Sequence, residues 1–333
     1  MRMGRLQEMQ VSPTVLSAQR RPFALQWPAR ARLRPDVGRY ACFDSGGLSG
    51  LFKRITLLGV LLIGTACSPG PSIPRVAEDV APGIRLADKM PHEAGLTPTE
   101  VEAELQHLSV AFIQEVPFTR AMTPDHDHDQ IVRAQTAIAA SGQTFDAPQL
   151  VVVVDRNPAV QEAVIMLARP DGPWVIIGGT RVSTGQAGRR GSYITPTGVY
   201  LHTADILDYR AEGTFNKNGI RGLGLKGMRV WDFGWQTATK GWRSDSERGP
   251  IRLLLHATDP DRLEPRIGRP ASQGCVRVPA AMNLFLDRHG VLDADYERAA
   301  WDDARYRAVL RPGRVASPLA GRILLVVDSA ATP

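Results

Sequence analysis

Short apolar runs, each bounded by turn residues, dominate the sequence from Gln149 onward. They are rich in Val, Ile and Leu and are separated by Gly, Pro, Asn or Asp. Runs of this length suit strands better than helices, so residues 149–330 are predicted to form a mostly β domain, a sandwich or closed barrel with a few added helices. The runs are Leu150–Val154, Ala163–Leu167, Trp174–Ile177, Gly198–His202, Met228–Phe233, Ile251–His256 and Arg322–Val327.

Helix signals are fewer. Thr97–Glu100 reads Thr-Pro-Thr-Glu, a capping box with proline at the first helical position. It predicts a helix inside a small helical N-terminal segment, residues 97–148, which precedes the β domain. Two further helices are predicted at Pro279–His289 and Ala299–Leu310, each followed closely by a helix-ending Gly or Pro.

Residues 125–129 read Asp-His-Asp-His-Asp, and both residue types ligate divalent metal ions. Ligands that are adjacent in sequence rarely converge on one ion without further residues. We therefore interpret the run as a solvated acidic loop and predict no metal site.

The segment before Cys67 has the pattern of an export signal. A basic pair precedes an apolar stretch, Ile55–Ile63, which is followed by the small residues Gly-Thr-Ala. This pattern describes a secretory signal peptide, which we assign to residues 51–66. Because it ends on cysteine, it resembles a bacterial lipoprotein signal, with Cys67 lipidated and residues 67–96 forming a tether. The alternative is a plain secretory signal in which Cys67 is incidental.

Residues 1–50 do not fit this export signal, since a signal peptide normally starts close to its basic pair. They hold 8 Arg and no Lys and show no sustained strand or helix period. We predict that they are a spurious or disordered extension and that translation starts near Leu48 or Leu51. The mature protein is expected in the cell envelope, in the periplasm, attached to a membrane through the lipid on Cys67.

The formal net charge of +6 lies in this leader. Residues 1–66 hold 10 Lys and Arg against 3 Asp and Glu, which leaves the rest of the chain close to neutral. The predicted domain lacks the basic excess typical of nucleic-acid binding. No apolar run approaches the roughly 20 residues that a membrane-spanning helix needs, which excludes a polytopic membrane protein.

The three cysteines leave one thiol in the predicted domain. Cys42 lies in the extension and Cys67 would carry lipid, so Cys275 has no disulfide partner. Gly274 precedes this thiol, and an upstream predicted strand ends on His256. Histidine can take the proton of a cysteine nucleophile, and glycine lets the backbone approach an oxyanion. The pattern predicts an acyl-transfer site, against the alternative of a buried structural cysteine and a hydrogen-bonded structural histidine.

These residues belong to a longer pattern. His256, a fifteen-residue spacer and Ser272–Arg277 (Ser-Gln-Gly-Cys-Val-Arg) resemble the signature of the L,D-transpeptidase (YkuD-type) family. Upstream, Val182–Gly185 (Val-Ser-Thr-Gly) and Thr195–Gly198 (Thr-Pro-Thr-Gly) resemble two further elements of that family, in the same order. The resemblance covers slightly over half of the chain. Its main departure is Gln273, where the family usually has histidine.

The resemblance implies the L,D-transpeptidase β-sandwich, peptidoglycan stem peptides as substrate, and no metal or organic cofactor. It implies that Cys275 is the nucleophile, that His256 moves the proton, and that the N–H groups of Gly274 and Cys275 stabilise the oxyanion. Three neighbours of the thiol are predicted to lie at the substrate. They are Ser272, mainly as a loop-shaping hydroxyl, Gln273, and Arg277, which would either hold a substrate carboxylate or brace the loop.

The stretch Asp205–Gly249 falls where this family has a lid over the substrate cleft. Its aromatic residues are expected either to line a groove for glycan or peptide or to belong to the core. They are Trp231, Phe233, Trp235 and Trp242.

Two other functions remain open at this stage. Water instead of an amine would resolve the thioester in a peptidoglycan hydrolase, an L,D-carboxypeptidase or amidase. A non-catalytic wall-binding lipoprotein would keep the fold as a peptide-binding module, with Gln273 as a sign of a decayed site.

Overall fold

The computed structural model describes residues 95–117, 119 and 123–331. The predictions for residues 1–66 and for Cys67 lie outside this part of the chain. Within it the helices are α1 (Pro98–Glu115), α2 (Pro124–Ala140), α3 (Ala280–Arg288), α4 (Ala294–Asp302) and α5 (Ala304–Val309). The strands are β1 (Gln149–Asp155), β2 (Glu162–Ala168), β3 (Val175–Arg181), β4 (Gly198–Leu201), β5 (Tyr209–Arg210), β6 (Arg229–Thr239), β7 (Arg248–Ala257), β8 (Val276–Val278) and β9 (Ile323–Val327).

The strands form two mixed sheets. The five-stranded sheet has the order β3-β2-β1-β9-β4, in which β1 and β9 are parallel and the other neighbours are antiparallel. The four-stranded sheet has the order β5-β6-β7-β8, and its only parallel pair among the described strands is β7 with β8. That parallel pair carries the residues with candidate chemistry.

The main core lies between the two sheets and two helices. Alternate residues of β1, such as Val152, pack with Trp231 of β6 and Leu255 of β7 in one continuous apolar cluster. Helix α1 closes this core, and the ring of Phe112 lies directly over Gly178 of β3. A Cβ atom at Gly178 would come within 2.2 Å of that ring, so only glycine lets the helix approach the sheet so closely.

Helix α2 covers the opposite face of the five-stranded sheet. Ala134 and Ile138 of α2 pack on Val151, Val153 and the other strand residues that face away from the main core. The sheet is therefore buried on both faces, which is why its strands read as continuous apolar runs and not as alternating ones.

Two predictions are corrected here. Strands outnumber helices within residues 149–330 as predicted, but the fold of the described residues is mixed, with about as many residues in helices as in strands, because α1 and α2 pack on the same sheet. Residues 125–129 were predicted to be a solvated loop, but they form the first turns of α2. Proline near the start and acidic side chains in the first turn favour a helix there, because negative charge is stabilised at a helix N-terminus. His126 contacts Glu162 of β2 at 2.8 Å.

Other element predictions are confirmed. Both hydrogen bonds of the capping box between Thr97 and Glu100 are formed. Each predicted apolar run overlaps a strand. The helix predicted over Ala299–Leu310 is in fact two helices, separated at Asp303, whose carboxylate caps the second one. Across the described residues, no helix is both long enough and apolar enough to cross a membrane.

Candidate active site

The parallel pairing of β7 and β8 brings the predicted cysteine and histidine to one groove. His256 pairs with Arg277 in this register, and Cys275 directly precedes β8 beside Leu254. Side chains two positions apart on a strand point to the same face. Cys275, His256 and Arg277 accordingly line a single groove of about 750 Å³. A larger groove of about 1000 Å³ elsewhere on the domain contains neither Cys275 nor His256.

The loop before the thiol is held by the two upstream elements, Val182–Gly185 and Thr195–Gly198. Ser183 bridges to Arg277, and Gly185 bridges to Ser272. The buried Thr195 hydroxyl accepts from the Gly185 N–H and donates to the Gly274 carbonyl, both at 2.8 Å. The three sequence elements therefore form one hydrogen-bonded unit around Cys275. Thr195 belongs to one of the family-like elements, but no sequence pattern indicates that its hydroxyl joins all three.

Gly185 and Gly274 allow this close packing. A Cβ atom at Gly185 would lie 1.9 Å from the carbonyl oxygen of Tyr193. Gly274 has φ of +131°, a conformation that favours glycine, and a Cβ atom there would meet the side chain of Ile251 at 2.9 Å. The segments around the thiol can thus pack this closely because these two residues lack a side chain.

Ser272 is buried, and its hydroxyl is used within the loop. It accepts from the Gly274 N–H at 3.0 Å and donates to the Cys275 carbonyl at 2.6 Å. This geometry favours the loop-shaping role and leaves no surface for direct substrate contact. The Gly274 N–H, predicted as an oxyanion donor, is occupied in this state, so it could serve an oxyanion only if it shares or exchanges the Ser272 hydroxyl.

The histidine is oriented by its own strand. His256 is buried, and its Nδ1 lies 2.6 Å from the carbonyl oxygen of Ala257. A carbonyl can only accept, so Nδ1 carries the proton and Nε2 keeps a free lone pair. Burial, helped by the nearby Arg277 charge, lowers the pKa of His256 from 6.5 to about 4. At neutral pH the imidazole is therefore uncharged and able to accept a proton at Nε2.

Cys275 is half-buried and is not hydrogen-bonded to the imidazole. Its Sγ lies 3.7 Å from the carbonyl oxygen of Arg252. Burial raises the pKa of the thiol, although a hydrogen bond from the backbone of Leu254 and the charge of Arg277 act in the opposite direction. The resting pair is thus a neutral thiol and a neutral imidazole on the same groove wall.

Arg277 and Gln273 occupy different depths of the groove. Arg277 is partly buried, donates to the Ala271 carbonyl at 3.3 Å, and leaves its buried Nε without a partner among the described residues. Gln273 is exposed at the groove, and its backbone carbonyl accepts from the Tyr193 N–H at 3.2 Å. Arg277 therefore braces the loop, and its role in holding a substrate carboxylate stays a prediction.

The predicted lid is smaller than expected. Of the stretch Asp205–Gly249, only the loop between β5 and β6 borders the groove, through residues such as Asn216, Ile220 and Leu223. Residues 229–239 form β6, and Trp231 and Phe233 belong to the core. None of the four aromatic residues named above lines the groove. Trp235 is exposed elsewhere, and Trp242 packs edge-on against Tyr193.

Comparisons with known proteins add little to this description. No family model matches the chain, and no curated protein matches it. One similar solved structure is a fused Zn-dependent amidase/peptidase/peptidoglycan-binding domain-containing protein from Clostridium acetobutylicum, with 10% identity and a TM-score of 0.24. The similarity covers 62% of this chain and 65% of that one. A similarity this low says nothing about the fold or function of the present chain.

The buried, neutral His256 predicts a pH effect on stability. The folded state releases its proton near pH 4, whereas the unfolded state binds one near 6.5. Between these values the unfolded state holds more protons, so the contribution of His256 to stability falls as the pH falls. We expect the stability lost in this way between pH 7.5 and 4.5 to be about 2.5 kcal/mol. Urea denaturation of the wild type and His256→Asn from pH 7.5 to 4.5 measures it as the difference between the two slopes. Parallel slopes would show that His256 titrates normally in the folded protein.

Proposed function

We propose that this chain is a cysteine acyltransferase of the L,D-transpeptidase type that acts on peptidoglycan stem peptides. The observation that supports it most is the placement of Cys275 and His256 on one groove wall, with the other two family-like elements hydrogen-bonded around the thiol. Sequence elements that are separated by dozens of residues thus meet where the chemistry would occur. We also propose that the protein is exported and anchored by lipid at Cys67.

In the proposed reaction, Sγ of Cys275 forms a bond to the carbonyl carbon of the third stem residue. The thiol proton passes to Nε2 of His256, the one ring nitrogen with a free lone pair. The tetrahedral intermediate then breaks its bond to the terminal D-Ala, whose amine takes the proton from His256 as it leaves. An amine acceptor attacks the thioester, forms the new amide and returns a proton to the thiol.

Since Sγ of Cys275 and the imidazole of His256 are not hydrogen-bonded in the resting state, we propose that substrate binding brings them together before proton transfer. This step follows from the 3.7 Å contact between Sγ and the Arg252 carbonyl, which competes with the imidazole for the thiol hydrogen. Gln273 cannot titrate near neutral pH, so the proton route depends on His256 alone.

A second candidate is a non-catalytic peptide-binding module. The resting geometry favours it in one respect, because the thiol pKa is raised and the thiol has no hydrogen bond to a base. A hydrolase would use the same residues and differ only in the acceptor, which would be water. The experiment below separates these possibilities.

The test is intact-protein mass spectrometry of the protein after incubation with a carbapenem, which acylates an activated thiol in a site of this kind. We expect one adduct per chain, located by peptide mapping at Cys275 and missing in Cys275→Ala. Absence of an adduct from a folded protein would favour the binding module, and products formed from a stem tetrapeptide with and without an amine acceptor distinguish transfer from hydrolysis.

A further inference from the structure

The charged side chains that line the groove at Cys275 are mainly arginines. Four arginines contribute to its wall, and no Asp or Glu among the described residues does so. Three of them are exposed at the groove edge, and the fourth is partly buried beside the thiol. They are Arg189, Arg266, Arg269 and Arg277.

None of these guanidinium groups has a carboxylate within 4.0 Å among the residues that the structure describes. Elsewhere in the domain, a buried arginine lies beside carboxylates, as Arg229 does beside Asp208 and Asp293. The charged form of Arg277 is destabilised, because burial and the neighbouring Arg189 charge lower its pKa. Its Nε is also buried without an acceptor among the described residues. A cluster of unpaired guanidinium groups around one groove is a site prepared for anions.

The fold brings these arginines together from separate segments. Arg189 follows the Gly185 strand segment that bridges to Ser272. Arg266 ends a short 3-10 turn, Glu264–Arg266, and Arg269 follows Gly268, whose N–H donates to the Val182 carbonyl. Backbone contacts to Val182–Gly185 thus hold both the loop that carries the thiol and the segments that carry these arginines.

We propose that the groove selects stem peptides whose carboxyl groups are free, and discriminates against stems in which they are amidated. This inference rests on the proposed function for the identity of the peptide. Arg277, beside the nucleophile, holds the carboxylate nearest the reacting carbonyl. Arg189, Arg266 and Arg269 recognise the carboxylates farther along the peptide, at its second residue and on the side chain of its third.

An anionic substrate also changes the chemistry of the pair. The charge of Arg277 contributes to the low pKa of His256. Burial is the larger cause of that low pKa, but a carboxylate bound to Arg277 offsets the charge, which raises the pKa of His256 and also removes a charge that lowers the pKa of the Cys275 thiol. The groove charge thereby couples recognition of the peptide to proton transfer.

The test measures binding without reaction. Cys275→Ala protein is titrated by calorimetry with two synthetic tetrapeptides that are identical except that the second-residue and third-residue side carboxyl groups are either free or amidated. We expect the free-acid peptide to bind about tenfold more tightly at low salt, since it retains two charge-assisted contacts. The difference should shrink as salt is raised, because the contacts at the groove edge are exposed.

Variants assign the effect to the arginines. Arg266→Gln with Arg269→Gln, in the same Cys275→Ala background, should bring the two affinities within about threefold of each other. Arg262→Gln is the matched control, because Arg262 is exposed on the same loop but does not line the groove. It should keep the full preference.

Equal affinities in the parent, a preference for the amidated peptide, an unchanged preference in the double variant, or no measurable binding of the free-acid peptide would each overturn the inference. Failure of the proposed function has a separate signature, which is the lack of a carbapenem adduct on the unsubstituted protein. A protein that prefers the free-acid peptide but forms no adduct would be an anion-selective binding module.

Discussion

Replacement of Cys275 by alanine is expected to reduce turnover of a stem tetrapeptide by about 10⁴-fold or more, because Cys275 is the one thiol among the residues that line the groove. The fold should be unaffected, since the side chain is half-buried and makes one weak contact through Sγ. The measurement is release of D-Ala under conditions of substrate saturation, with the melting temperature of each variant determined in parallel.

The control for Cys275→Ala is the serine variant, which replaces the thiol with a hydroxyl of similar size. It should also be nearly inactive, because a serine hydroxyl needs a stronger base than His256 provides. Both variants should still bind the tetrapeptide. Turnover by Cys275→Ala above about 1% of the wild-type rate would show that the thiol is not the nucleophile.

Replacement of His256 by asparagine is expected to lower the same rate by about 10² to 10⁴-fold. Asparagine can keep a donor toward the Ala257 carbonyl, which Nδ1 contacts at 2.6 Å, but it removes the Nε2 base. Loss of activity with retained folding would therefore report loss of the base and not loss of the local hydrogen bond. D-Ala release over a range of pH measures the effect.

The control for His256 is His107→Gln, since His107 is an exposed histidine on α1 and lies away from the groove. It should leave the rate unchanged. A His256→Asn protein with a normal rate and a normal pH profile would contradict the assignment of His256 as the proton acceptor and would leave it as a structural residue at a strand end.

Much of the sheet structure could be predicted from the sequence, because the strands of a doubly covered sheet are nearly all apolar. Leu150–Val154 stands out for this reason. The helices that cover this sheet were harder to predict. Helix α2 begins with the polar run at residues 125–129 and buries only a narrow stripe that includes Ala134 and Ile138, so its sequence resembles a loop.

Strand β6 was partly hidden by its composition. Its pairing with β7 is irregular between Asp232 and Trp235, and Gly234 there has φ of +73°. A strand interrupted in this way, with glycine and tryptophan close together, reads as a loop rich in aromatic residues. The prediction of a lid over Asp205–Gly249 consequently included a central strand of the second sheet.

The candidate site was predicted in its chemistry but not in its charge. Cys275 and His256 could be found because a nucleophile, a base and a glycine occur in a recognisable spacing. The arginines could not, because Arg189 and Arg269 are far apart in sequence and meet only through backbone bridges such as Gly185 to Ser272. Composition also concealed them, since the domain as a whole is nearly neutral.

The position of β9 determines when this domain can finish folding during synthesis. Val151 of β1 pairs with Ile323, and Gly198 of β4 pairs with Val326, so β9 joins two strands that are made long before it. Until it emerges, one edge of β1 keeps unpaired backbone N–H and C=O groups, and the main core lacks the apolar side chains of β9. We therefore expect the complete five-stranded sheet to form only after nearly the whole domain has left the ribosome, and the open edge to be prone to aggregation until then.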